Sequence, residues 1–320
     1  MNFFTNPQQK RYVLKPIQHP NLWSIFKEQQ SVLWTTEEID WSQDLADWQQ
    51  LEPSAQQFLL HILAFFASSD MLIVDNLMDQ FMAEVQVAEA RAFYTLQAFV
   101  ETIHSETYSL ALEKFAPTDQ RTHLFNAVAQ EPTTKAKGDF ATKYMDSQRP
   151  FAERLWAFCI FEGVLFSASF ASLYWLRTKG KCKGLTFSNE LIQRDEGLHA
   201  KFGVEMLNML PQLPEQEIHA ILKEAVAIEE DFVNAALPTT LTGISAAQMI
   251  EYVQYCADRL LSMLKGDYAP LWKVDQPLVF MDMISIDAKT NFFERRVSEY
   301  QLAQVGQQES DSMFALDADF

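Results

Sequence analysis

Between Pro53 and Phe115 the chain carries neither glycine nor a further proline. Such a stretch cannot be built from tight hairpins, whose turns need residues with positive or preset φ. It is also dense in apolar residues, which predicts two long helices buried around much of their circumference. A second apolar segment, Leu155 to Leu176, is flanked by Arg154 and Arg177 and holds one charge, Glu162. Its length alone would allow a membrane span. Phe58 to Val74 has the same style, an apolar run interrupted by one acid, Asp70, and core helices of a large bundle account for both segments. Over the whole chain, 9 glycines and 12 prolines in 320 residues fall below average use, which extends the all-α expectation to the rest.

Around these segments the sequence reads as an N-terminal arm (1–34), irregular and closed by Trp34, a helical domain (35–300) and a polar C-terminal tail (301–320). Thr35-Thr36-Glu37-Glu38 looks like a helix start, a hydroxyl cap followed by first-turn acids. The stretch from Glu131 to Pro150, rich in Thr, Lys and Asp, reads as a connection or a short exposed helix between two helical halves. Acidic residues outnumber basic ones 43 to 25, a net charge of −18, which repels polyphosphate and argues against nucleic-acid binding. Three cysteines without CxxC spacing make neither a disulfide framework nor a zinc ribbon and suit a reducing cytoplasm. No secretory signal, GxGxxG or GxxxxGK[ST] motif is present.

Chemistry enters with two copies of Glu-x-x-His: Glu101 with His104, and Glu196 with His199. On a helix each pair shares a face, yet with six histidines and 43 acids such pairs arise by coincidence. What lifts them above coincidence is the acid upstream of each. Asp70 precedes Glu101 by 31 residues and Glu162 precedes Glu196 by 34, so two up-and-down helical hairpins bring all four acids to one level of a bundle. A lone carboxylate in an apolar helix is costly unless paired or bound to metal. Four carboxylates and two imidazoles suit two divalent iron or manganese ions, a set with no thiolate. The template is the known one of ferritin-like di-metal carboxylate proteins; the sequence supplies the residues that fit it. Tyr108 falls within about 60° of Glu101 and His104 on the helical wheel and turns a phenol toward the same point.

All of these residues but Asp70 sit in strings that resemble the small, radical-generating subunit of class I ribonucleotide reductase, in its eukaryotic-type branch. The strings are LWTTEEID at 33–40, VQVAEARAFY at 85–94, ETIHSETYSL at 101–110, FEGVLFSASFASLYWL at 161–176, GLTFSNELIQRDEGLH at 184–199, KTNFFERRVSEY at 289–300 and the terminal FALDADF. The resemblance implies a ferritin-like all-α bundle. It implies a di-iron-oxo centre held by Asp70, Glu101, His104, Glu162, Glu196 and His199, manganese or a mixed pair being compatible with the same ligands, and dioxygen for activation. It further implies a radical on Tyr108 and an apolar pocket of Phe166, Phe170 and Ile192 around it. A relay through Trp34, Asp195 and His104, with an exit at Tyr300, completes the carried-over roles. Met71 follows Asp70 where relatives often have glycine, which would alter the metal pocket in detail.

The implied activity is reduction of ribonucleoside diphosphates to deoxyribonucleotides, performed only with the large catalytic subunit. That partner would be docked by Ser312 to Phe320, through the apolar Phe314, Leu316 and Phe320. A cytoplasmic homodimer that contacts neither membrane nor nucleic acid is expected. The readings set against it are an oxidase that acts directly on a bound ligand and an iron-storage cage. Tyr108 and FALDADF speak against the first, and the length of the chain against the second.

Overall fold

The computed structural model describes residues 2–125, 131–238 and 243–281. Among these residues the regular structure is helical and no strand occurs. The helices are α1 (Pro20–Ser31), α2 (Asp44–Trp48), α3 (Pro53–Asn76), α4 (Ala88–Phe115), α5 (Arg121–Phe125), α6 (Pro132–Met145), α7 (Phe151–Gly163), α8 (Ser167–Thr178), α9 (Lys183–Leu207), α10 (Glu215–Ala236) and α11 (Ala246–Ser262). All belong to one compact unit, Met1–Val279. The expected boundary at 300 and the tail lie outside the described residues.

Helix boundaries follow local chemistry. Proline opens α1, α3 and α6, where a missing N–H costs nothing and φ is already helical. The first amides of α9 are satisfied from a distant segment: Gly184 N–H and Leu185 N–H donate to the two oxygens of Asp44 at 3.0 and 2.7 Å. α3 passes through a π turn at Leu77–Phe81 and runs on to Glu84. The apolar segment around Glu162 is not one helix. It breaks after Gly163, and α8 starts at Ser167. Both long apolar stretches are core helices, with 94% of the most apolar window of Phe151–Thr178 buried, so burial in the protein accounts for their composition. A fully buried Leu or Phe there contributes about 1.5–3 kcal/mol relative to exposure.

Three expectations need correction. The N-terminal segment is not irregular throughout, because α1 forms and packs on α4 and α9. Thr35 does stand at an N-cap with Glu37 and Glu38 in the first turn, but the helix it opens is a single 3₁₀ turn, Thr36–Glu38. The Glu131–Pro150 connection does contain a helix, α6, but one that buries Thr134, Lys137, Gly138, Phe140 and Tyr144 against α7 and α10.

The core of the bundle is two pairs, α3 with α4 and α7 with α9, joined where α9 meets α4 and α8 meets α3. Each of the four helices α3, α4, α7 and α9 delivers one of the four acids. The separation of α7 and α9 is set by small atoms. A Cβ on Gly203 would stand 2.4 Å from Cys159 Sγ, and these residues lie about one turn from His199 and Glu162. Gly203→Ala is therefore expected to destabilise the fold by about 1–3 kcal/mol through overpacking. The double variant with Cys159→Ala should recover much of that loss in urea unfolding. A Gly203→Ala protein as stable as the parent would show that the helices can part freely here.

Candidate metal centre

The six residues singled out by spacing converge in the core. Asp70, Glu101, His104, Glu162, Glu196 and His199 are all 3% exposed or less. Ligand atoms of Asp70, Glu101 and His104 lie within 4.8 Å of one another, as do those of Glu101, Glu162, Glu196 and His199. Glu101 belongs to both groups. Its Oε2 lies 3.3 Å from His104 Nδ1 and its Oε1 2.9 Å from His199 Nδ1. Glu196 divides its oxygens in the same way, with Oε1 3.1 Å from His104 Nδ1 and Oε2 3.2 Å from His199 Nδ1. Two carboxylates thus stand between two imidazoles, with Asp70 grouped at the His104 end and Glu162 at the His199 end.

The polar atoms here are poorly satisfied by the protein. Both oxygens of Asp70, both of Glu101, Glu162 Oε2 and His104 Nδ1 have no aligned hydrogen bond, although buried. Burial, then the Glu101 charge, pushes the Asp70 carboxyl well above the usual range. Burial followed by Glu196 does the same to Glu162. Burial alone would lower the two imidazoles, yet the carboxylates around them overrule it and both are raised well above the usual value. Glu196 is held low against its burial by hydrogen bonds with Glu162, His104 and His199. Four carboxylates in a dry core need positive charge, and two divalent ions carry the amount that balances them. Together the unpartnered oxygens, the all-O/N donor set and the convergence of Nδ1 atoms fit a dinuclear metal site.

Around the cluster the protein fixes orientation. His104 Nε2 lies 3.2 Å from Asp195 Oδ2 and donates to it, which holds the ring with Nδ1 turned toward the Glu101 and Glu196 carboxylates. Asp195 also accepts from Trp34 Nε1 at 2.8 Å, from Gln29 Nε2 at 3.1 Å and from Arg194 Nη2 at 3.0 Å. Although its burial acts the other way, Arg194 and then His104 hold its carboxyl below the ordinary value. At the other end Gln97 Nε2 donates to Glu162 Oε1 at 2.9 Å.

Tyr108 is fully buried and its hydroxyl has no hydrogen-bond partner. Burial, then the charge of Asp70, pushes its pKa well up. The ring against it is Phe66, stacked with centroids 4.6 Å apart and planes 9° apart. Phe166 and Phe170 pack on Phe66 at 5.3 and 4.8 Å, forming a layer behind it. Ile192 is buried one turn before Glu196. Met71 is 45% exposed, so its side chain does not enter the pocket. Tyr300 lies outside the described residues.

Sequence reasoning missed Phe66, Gln97 and Gln29. Gln97 had a signal, lying four residues before Glu101 on the same helical face. Phe66 lies one turn before Asp70 but looked like any core aromatic, and Gln29 sits on a helix that was not foreseen.

A helical bundle whose four core helices converge Glu, Asp and His on two overlapping groups defines a ferritin-like dinuclear metal protein. Residues 11–277 match the family model for the ribonucleotide reductase small chain, and the chain belongs to that family. It is 44% identical over 316 residues to the ribonucleoside-diphosphate reductase small chain of Vaccinia virus (strain Ankara), covering 98% of each chain. To ribonucleoside-diphosphate reductase subunit M2 of Rattus norvegicus it is 43% identical over 97% of this chain and 80% of that one. The Rnr4 homodimer of Saccharomyces cerevisiae ribonucleotide reductase superposes with a TM-score of 0.81 at 30% identity, covering 94% of this chain and 93% of that one.

Glu101→Ala and His199→Ala are each expected to prevent assembly of the two-metal site, because no neighbouring side chain can replace the lost donor. Metal analysis after gel filtration checks this, and two tightly held ions in either variant would refute the assignment. Asp70, Glu162 and both imidazoles retain protons to higher pH than usual, and ligation needs those protons gone. Metal uptake by the metal-free protein should therefore release protons, and affinity should fall as pH is lowered.

Proposed function

We propose that the chain is the radical-generating small subunit of a class I ribonucleotide reductase, with Tyr108 as the store of the oxidising equivalent. The observation that carries this reading is a fully buried phenol, stacked on Phe66 and without a hydrogen bond, on the same helical face as Glu101 and His104. Bound at Asp70, Glu101, His104, Glu162, Glu196 and His199, two ions, proposed to be iron with manganese allowed by the same donors, supply oxidation of a nearby phenol by dioxygen. In this reading Glu101 and Glu196, each lying between the two imidazoles, would be held in common by the two ions, while Asp70 would serve the one at His104 and Glu162 the one at His199.

The protein's own contribution is to hold the phenol dry and let one electron and one proton leave it. Asp70, the charged group that most opposes ionisation of Tyr108, is the proposed proton acceptor. Phe66, backed by Phe166 and Phe170, excludes water and reductants, which lengthens the life of a neutral phenoxyl. The bonded path from Trp34 through Asp195 to His104 supports its role as the relay, since each link is a hydrogen bond of 3.2 Å or less. Arg194 and Gln29 keep Asp195 anionic and fixed, so the path does not depend on a mobile side chain.

The nucleotide is bound by the large subunit, to which Tyr300 is proposed to pass the equivalent and Ser312 to Phe320 to dock. Domain limits of 1–34, 35–300 and 301–320, a homodimeric state like that of the yeast relative and a cytoplasmic setting belong to the same reading.

Electron paramagnetic resonance on protein loaded with ferrous iron and exposed to air tests it. The parent should show a tyrosyl signal. Tyr108→Phe should keep its metal and its oxygen consumption while losing the signal and nucleotide reduction with the large subunit. An unchanged signal in Tyr108→Phe would place the radical on another residue.

A further inference from the structure

Lys137 lies on α6, in the segment that sequence alone read as a connection or a short exposed helix, yet its side chain is fully buried. A buried lysine is rare and demands partners. Its ammonium donates to the carbonyl of Leu165 at 3.0 Å and pairs with Glu229 Oε2 of α10 at 2.6 Å, both side chains being fully enclosed. It also stands over the rings of Phe65 and Phe232, 4.5 and 4.0 Å from their centroids.

Leu165 is in the break between α7 and α8. There the N–H groups of Val164 and Leu165 both turn to Ile160 O, at 2.8 and 3.2 Å, one spanning four residues and the other five. A buried carbonyl displaced from a regular helical ladder needs another donor, and Lys137 provides it. Glu162 is three residues before that carbonyl, and Phe166 is the next residue after it. Phe65, under the ammonium, meets Phe166 edge-on at 5.7 Å and neighbours Phe66 at 5.8 Å, the ring that stacks on Tyr108. Burying an ion pair is a weak route to stability, because an apolar pair of similar volume often does as well. Its placement at the break points instead to geometry.

We propose that Lys137 and Glu229 are positioning residues: by pinning the α7–α8 break they set the Glu162 carboxylate at the metal site and the Phe166 ring in the radical pocket. This rests on the reading of Glu162 as a ligand and Tyr108 as the radical store. Lys137 touches neither group, and Glu229 acts through Lys137 and through its own hydrogen bond with the Ala168 backbone at the start of α8.

Three proteins decide it: the parent, Lys137→Met, and Lys137→Met with Glu229→Leu. Thermal unfolding separates stability from position. The single variant leaves a buried carboxylate unpaired and should melt lower, while the double variant removes both charges and should regain most of the loss. In both variants the Leu165 carbonyl stays without its donor. Amides of residues 163–168 in the metal-free protein should then exchange hydrogen faster, and manganous ion should bind about 10- to 100-fold more weakly in chelator competition. The tyrosyl signal of the iron-loaded proteins should also decay sooner than in the parent. If the double variant matches the parent in exchange, affinity and signal lifetime, the pair serves stability only and the proposal fails. Should the single variant not fold, the double variant carries the same comparison. Absence of a tyrosyl signal in the parent would overturn the Tyr108 reading, and the exchange and affinity measurements would still decide the role of Lys137.

Discussion

Four carboxylates are enclosed among apolar helices with too few donors to satisfy them, and the rest of the structure is organised around that demand. Asp70 and Glu101 have no aligned hydrogen bond at any oxygen, and an isolated buried carboxylate costs several kcal/mol even after relaxation. Burial pushes Asp70 and Glu162 toward their neutral forms, while the imidazoles are driven toward their charged forms. Both are responses to the same excess of negative charge, and two divalent ions resolve it without protons. Site and fold are coupled for this reason: each acid comes from a different helix, so neutralising the cluster ties α3, α4, α7 and α9 together.

Orientation is supplied from outside the cluster. Asp195 fixes the His104 ring, and is itself fixed from α1, from Trp34 and from Arg194. Asp195 therefore holds the His104 ring in place and joins it to Trp34 through the same set of hydrogen bonds. Gln97 steadies Glu162 from one side, while the break after Gly163 changes the course of the chain from the other. The phenol is handled differently, with stacked aromatic rings and no polar partner.

The cluster of four acids and two imidazoles was legible in the sequence because it depends on local periodicity. Glu101 with His104 and Glu196 with His199 share helical faces whatever the tertiary fold, and the 31- and 34-residue spacings to Asp70 and Glu162 follow from hairpins of two helices. Features set by contacts distant along the chain were not legible. The stacking of Phe66 on Tyr108 depends on how α3 meets α4, and nothing in FLLHILAFFASSD marks one phenylalanine above another. The helix Pro20–Ser31 lies in a largely polar segment, and three prolines by position 20 hid it. Lys137 looked like one more charge in a polar stretch, since a buried lysine is distinguished only by the Glu229 and Leu165 that meet it. The break at 164–166 has no glycine or proline beyond Gly163, so an uninterrupted helix from Leu155 to Leu176 was the natural reading.

In the proposed reading Glu101 and Glu196 would each be shared by two metal ions, one taking His104 Nδ1 and the other His199 Nδ1 as its nitrogen donor. Anomalous diffraction from crystals of the metal-loaded protein measures this directly. Two anomalous peaks in the core are expected, each within coordination distance of one imidazole Nδ1, with one oxygen of Glu101 and one of Glu196 on each ion. A single peak, ligation through Nε2 of either histidine, or two ions that share neither carboxylate would contradict it.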